Sequence, residues 1–200
     1  MKFIISIILI SFYILSVYPA FADVKNKEID YVYKLLQQKK FAEGIEQLKI
    51  LSSNNDIDAQ LLYSKILFSG DLIPQDFESS YFWASSAFLG GLKNSERIID
   101  KLDDYLTEKQ IDSIKDKIKL FLEKRAFIKD KRAIIQIAKF YEGYVNPPDM
   151  INAYTWYNIA VANGIKTAKN KRNETLSELN QKDLLEAQTL SIKLFKEINN

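Results

Sequence analysis

The chain of 200 residues contains no cysteine and no histidine, and only 6 glycines and 4 prolines. Without cysteine there are no disulfides, no thiol nucleophile and no attachment point for lipid at an N-terminal cysteine, so stability must come from packing alone. Without histidine, the commonest general base and the commonest metal ligand are both missing. No serine stands three residues before a lysine, which removes the Ser-x-x-Lys arrangement of penicillin-recognising enzymes. The glycines, at 44, 70, 90, 91, 143 and 164, never form a phosphate-cradling loop, and the Asp56-Ile57-Asp58 pair lacks the rest of a calcium loop. Together these gaps leave no foothold for cofactor or metal chemistry. The scarcity of glycine and proline also argues against an all-β fold, which needs turn signals at short intervals, and predicts an all-α one.

Hydrophobic residues make up 47% of the chain and charged residues 27%, enough for a domain with a real core. The first 22 residues, MKFIISIILISFYILSVYPAFA, have a basic start at Lys2, an apolar run from Phe3 to Val17, Pro19, and the triplet Ala20-Phe21-Ala22. This is the layout of a signal peptide cleaved after Ala22, giving a mature chain from Asp23 that is exported to the periplasm or secreted. An uncleaved signal anchor is the competing reading, and membrane contact is expected only in that case. Removing Lys2 leaves 27 basic against 26 acidic residues. A nearly neutral surface is not suited to generic nucleic-acid binding, so no nucleic-acid partner is expected.

Apolar residues at Ile29, Val32, Leu35 and Leu36, then at Phe41, Ile45, Leu48 and Leu51, recur at helical spacing on either side of Lys39-Lys40, predicting a leading helix hairpin over 23–54. A second hairpin follows: a helix from Asp58 to Ser69, the connection GDLIPQD, and a helix from Phe77 to Gly90 with Asp76 as its N-cap and Gly91 as its left-handed stop. Helices over Asn94 to Tyr105 and Glu108 to Lys124 complete a first unit over 58–125, with a capping-box spacing at Thr107 and Gln110.

The programme then restarts over 131–200, with helices expected at 133–142 and 150–163. SYFWASSAFLGG (80–91) and AYTWYNIAVANG (153–164) align without gaps at an offset of 73 (156 − 83), so Trp83, Ala87 and Gly91 fall on Trp156, Ala160 and Gly164. Gly70, Pro74 and Asp76 match Gly143, Pro147 and Asp149 at the same offset, and Leu106 and Lys109 match Leu179 and Lys182. A helix hairpin leaves an apolar face unburied, and stacking it on a copy of itself buries that face, so the pattern reads as a packing code. The tryptophans fit interhelix packing better than sugar stacking, and truncation of either should cost about 3–5 kcal/mol.

The spacing A-x-x-W-x-x-x-A-x-x-x-G (Ala153, Trp156, Ala160, Gly164), preceded by G-x-x-x-P-x-D (Gly143 to Asp149), resembles the Sel-one-like repeat, a relative of the tetratricopeptide repeat. The resemblance covers nearly all of the mature chain. It departs from the family where Leu-Gly is usual in the first helix: those places read Tyr63-Ser64 and, one residue out of the ungapped register, Ile137-Ala138. The resemblance implies an α-solenoid whose inner helices hold one or more protein partners. Helices 29–38, 59–68 and 133–141 would line the inner side, with Tyr31, Lys34, Gln60, Lys65, Gln136 and Lys139 as contact residues that do not read as core.

The expectation is a non-enzymatic exported scaffold or adaptor. The alternative is a peptidoglycan-binding accessory or hydrolase with a carboxylate pair drawn from Glu96, Asp100, Asp103, Asp104, Glu108, Glu174 and Glu178. Acids on surface helices are ordinary, and none of these stands in an apolar setting. The basic segment Lys115–Arg132 reads as a solvated helix face with cations at its C-terminal end, in preference to a dock for anionic lipid.

Overall fold

A computed structural model describes residues 27–200; the leader, its cleavage site and residues 23–26 lie outside the described residues. Ten α-helices follow one another: α1 (Lys27–Gln37), α2 (Phe41–Ser53), α3 (Ile57–Ser69), α4 (Phe77–Leu89), α5 (Glu96–Leu102), α6 (Glu108–Phe127), α7 (Lys131–Lys139), α8 (Met150–Ala162), α9 (Ala168–Ser177) and α10 (Gln181–Asn199). A 3-10 turn, Lys93–Ser95, leads into α5, and a π turn, Phe140–Tyr144, ends α7. The described residues contain no strand. Most helices adjacent in sequence pack on one another, α6 and α10 fold back onto α4 and α8, and α3 and α7 each rest on the unit before, so the fold is an all-α solenoid of stacked hairpins.

The starts of these helices are set by side chains. Asp56 accepts from the Ala59 amide at 2.9 Å, Asp76 from Ser79 at 2.9 Å and Asp149 from Asn152 at 3.0 Å, while Asp130 takes the amides of Arg132 and Ala133. Each satisfies an amide that the first helical turn leaves unpaired. Thr107 and Gln110 form the reciprocal capping box that opens α6. Asn180, 73 positions on, caps α10 through the Asp183 amide at 3.0 Å.

Asp56 and Asp130 are 74 apart, whereas Asp76 and Asp149 are 73 apart, so the second copy of the first helix is one residue out of the ungapped register. The turns before these caps repeat too: Asn55 and Lys129 both hold left-handed backbone, at φ 64° and 65°. So does the return bond, from the Asp76 amide to the Leu67 carbonyl at 3.1 Å and from the Asp149 amide to the Tyr141 carbonyl at 2.9 Å. The shift explains the Tyr63-Ser64 and Ile137-Ala138 places. Ser64 and Ser80 exchange hydroxyl bonds to each other's carbonyls at 2.9 Å where α3 crosses α4, and the corresponding positions of α7 and α8 are Ala138 and Ala153, both buried. Small side chains let the two helices approach at that point in both units.

Two expectations from the sequence are corrected. The first helix of the second copy starts at Lys131 and leaves through a π turn, and Gly143 lies inside that turn without the left-handed backbone of Gly70 (φ 74°). The two tryptophans also differ. Trp156 is 3% exposed, within the main core that spans α3 to α10, whereas Trp83 is only half-buried, beside the smaller core of α1 to α3. Trp83 stands edge-on to Phe82 and Phe121 and 6.1 Å from the Tyr63 ring. Ala87 and Ala160 are fully buried, and Gly91 and Gly164 have positive φ, as stop positions require.

Candidate interaction surface

Of the six predicted contact residues, three are open to solvent: Tyr31 and Lys34 on α1, and Lys65 on α3. Gln60 and Gln136 are not surface residues at all. Both are fully buried, and they are brought together through Asn55: the Gln60 amide donates to Asn55 Oδ1 at 3.1 Å, and Asn55 Nδ2 donates to Gln136 Oε1 at 2.7 Å. Gln136 passes the chain on by donating to the Ser86 carbonyl at 3.0 Å. Burying a polar side chain costs least when its donors and acceptors are used; these bonds join the α2–α3 turn to α4 and α7, and Gln60 Oε1 is left without a hydrogen-bond partner. The reading of both glutamines as solvent-facing fails because α3 and α7 are covered on more than one side.

Lys139 is half-buried, and its ammonium donates to the Leu89 carbonyl at 3.2 Å. Burial pulls its pKa below the usual lysine value, opposed by the charge of Glu142 and reinforced by that of Lys171. It is a tie between units before it is a contact for a partner. Around the same junction, Arg125 pairs with Asp130 at 3.1 Å and reaches the Asn54 carbonyl, while Arg132 donates to the Asn55 carbonyl at 2.7 Å. Part of the basic segment is thereby committed to joining the α2–α3 and α6–α7 turns.

An open groove of about 750 Å³ lies where α2, α3, α4 and the α5–α6 connection meet. Its lining includes Lys49, Tyr63, Pro74, Phe77, Tyr105 and Gln110, a mixture of polar and aromatic side chains, and none of the six predicted contact residues. Tyr105 is largely exposed, with its ring centroid 4.7 Å from that of Phe77; Phe68 completes the cluster, with Lys101 Nζ 5.9 Å from its centroid. The groove acids are already engaged: Asp76 caps α4, and Glu78 accepts from Gln110 at 3.0 Å and faces Lys117 at 3.6 Å. The groove is lined half by helical residues of α2, α3, α4 and α6 and half by the α3–α4 and α5–α6 connections; the sequence marked Pro74, Asp76, Tyr63 and Gln110 singly, for capping and repeat spacing, and not as one surface.

The seven acids considered for a carboxylate pair are all exposed. Asp103 is pushed up by partial desolvation and by the neighbouring charges of Asp100 and Asp104, but it does not line the groove. Glu142, half-buried, accepts from the Tyr157 hydroxyl at 2.5 Å and from Lys171 at 3.0 Å, a cluster that sequence spacing did not mark. Among the described residues no group of three or more acids could hold a metal ion, and no helix is long and apolar enough to cross a membrane.

Comparison with solved structures finds a protective antigen present in uropathogenic Escherichia coli strains, described as displaying an SLR fold. The chain is similar to an SLR-fold protein. Identity is 15%, the match covers 86% of this chain and 45% of that one, and the TM-score is 0.39, so this chain spans about half the length of that protein. No family model and no curated protein matches the chain.

Proposed function

We propose that this helical-repeat protein is a non-enzymatic scaffold, exported by its leader, that holds a segment of another protein. The observation that carries the reading is the open groove between the leading hairpin and the first unit, where the exposed Tyr105 ring stands beside Phe77, with Lys49 and Gln110 in the same lining. Aromatic faces with nearby hydrogen-bonding groups suit an extended peptide better than a compact metabolite. Engagement of Asp76 and Glu78 within the fold favours binding over carboxylate-pair chemistry there. Tyr31 and Lys34 on α1 and Lys65 on α3 remain exposed and are further positions open to the same partner or another.

The test is in-cell crosslinking of the tagged full chain with mass spectrometry, comparing the parent with Tyr105→Ala and with a Lys34→Glu, Lys65→Glu double variant. A discrete protein captured by the parent and lost with Tyr105→Ala supports the groove. Loss only with the lysine pair moves the seat to α1 and α3. Capture of cell-wall fragments alone overturns the scaffold reading in favour of the peptidoglycan one.

A further inference from the structure

The two units share a plan but end differently. In the first, α7 lies against α4 and α6: Gln136 donates to the Ser86 carbonyl, Lys139 donates to the Leu89 carbonyl, and Ala133, Ile134 and Ile137 share one core with Ile118 and Leu122. Advancing Ser86, Leu89, Ile118 and Leu122 by 73 positions gives Ile159, Ala162, Ser191 and Phe195. All four line an apolar groove of about 190 Å³ between α8 and α10. The groove is therefore the second unit's version of the seat that α7 fills in the first, and among the described residues it is open.

One of the two carbonyls that α7 uses in the first seat is already taken in the second. Gly90 leaves room first for Ile57 and then for Gln136, since a Cβ at that position would clash with Ile57 Cγ2 and stand 3.2 Å from Gln136 Nε2. Asn163 takes the place of Gly90, and its Nδ2 donates at 2.9 Å to the Ile159 carbonyl, the counterpart of the one Gln136 uses. A glutamine placed like Gln136 meets an acceptor already in use, and the open surface of the groove is almost wholly apolar, so the seat suits apolar side chains. Such side chains are exposed on α10: Ile192, which lines the groove, and Leu185, two turns before it, are each 59% exposed. Seven residues apart, they lie on one stripe, separated by about 10.5 Å along the axis.

We propose that the occupant is a second copy of this chain, with the two α10 helices packed antiparallel about a two-fold axis. Each Leu185 enters the other copy's groove beside Ile192 and Phe195, and the axis passes between Gln188 and Thr189. Knob and hole lie on the same helix, so one contact makes both, and the pair closes after two copies. It continues, through the repeat register, the way α7 seats on the first unit.

The absence of cysteine makes the test direct. Full-length chain carrying Gln188→Cys is oxidised in cells and compared with Glu46→Cys, an exposed position on α2, and with Gln188→Cys combined with Ile192→Glu. A disulfide-linked homodimer is expected at 188, not at 46, and is lost when Ile192 is replaced; an unchanged melting temperature confirms that this variant still folds. Monomer throughout, equal dimer at both positions, or persistence with Ile192→Glu overturns the proposal. A disulfide adduct at 188 with a different protein overturns the second copy as occupant.

Discussion

Asn55 and Gln136 are 81 positions apart in sequence and share a hydrogen bond of 2.7 Å in the interior, with 1% and 0% of their surfaces exposed. Asn55 sits at the turn between α2 and α3 in left-handed backbone, which asparagine tolerates better than most residues. From that turn its side chain bridges Gln60 and Gln136 and also reaches Asp130 at 3.2 Å. The leading hairpin is thereby fixed to the second unit by a directional contact that apolar packing alone would not specify.

Gln136→Ala removes an acceptor from Asn55 and a donor from the Ser86 carbonyl, and a buried group left unpaired costs about 1–3 kcal/mol. Urea denaturation should show that loss. In a double-mutant cycle, Asn55→Gly is the right partner, because glycine keeps the left-handed backbone while removing the side chain. The two substitutions should be less than additive in cost; full additivity would mean that the bond contributes nothing to stability.

What the sequence made legible and what it hid divide along a physical line. Caps and stops were readable because they depend on one side chain and the backbone within four residues, as at Asp76, Thr107 and Gly91. The repeat was readable because Trp83 and Trp156 keep one offset. The burial of Gln60 and Gln136 was not, because it depends on Asn55 arriving from a distant turn, and periodicity assigns an unpaired glutamine to solvent. Lys139 was hidden for a related reason: its stem is covered while its ammonium finds a carbonyl on α4. The groove at Tyr105 depends on where four elements meet, which no local pattern encodes.

Trp156→Ala should cost about 3–5 kcal/mol, the range for emptying a filled aromatic site. Trp83→Ala should cost clearly less, because its ring is partly exposed and the loss opens a surface dent in place of a closed cavity. Chemical denaturation of both variants checks the order, and single-tryptophan variants give a second readout. Emission from Trp83 should be redder and more easily quenched by acrylamide. Equal costs and equal quenching would contradict the difference in burial.

Stability should fall in alkali. Burial, reinforced by the charges of Glu123 and Asp149, pushes Tyr141 from 10.0 up to about 12. Tyr157 is also raised, by burial first and then by its bond to Glu142, and Tyr144 is raised mainly by burial. Each folded-state value lies above the unfolded one, so this contribution is whole below pH 10.0 and is lost as pH rises through about 12, where Tyr141 itself ionises. The melting temperature should decline across that window, with tyrosinate absorbance rising late and together with unfolding. Tyr157→Phe should flatten part of the decline; a melting temperature unchanged through the window would show that these hydroxyls ionise freely in the fold.

Gly70 and Gly143 align in sequence, yet they should respond in opposite directions to alanine. Gly70 ends α3 at φ 74°, and a Cβ there would come within 2.5 Å of the Gln75 side chain. Alanine in left-handed backbone costs about 1–2 kcal/mol before any steric term, so Gly70→Ala should lower stability by at least that much. Gly143 lies in the π turn with no positive φ, and nothing stands within 4 Å of where its Cβ would be. Alanine there limits the unfolded chain without straining the folded one, so Gly143→Ala should raise stability by about 0.4–1 kcal/mol. Parallel denaturation of the two variants reads the difference directly. If both substitutions destabilised equally, the second unit would be ending its first helix as the first unit does, and the π turn assigned to Phe140–Tyr144 would be wrong.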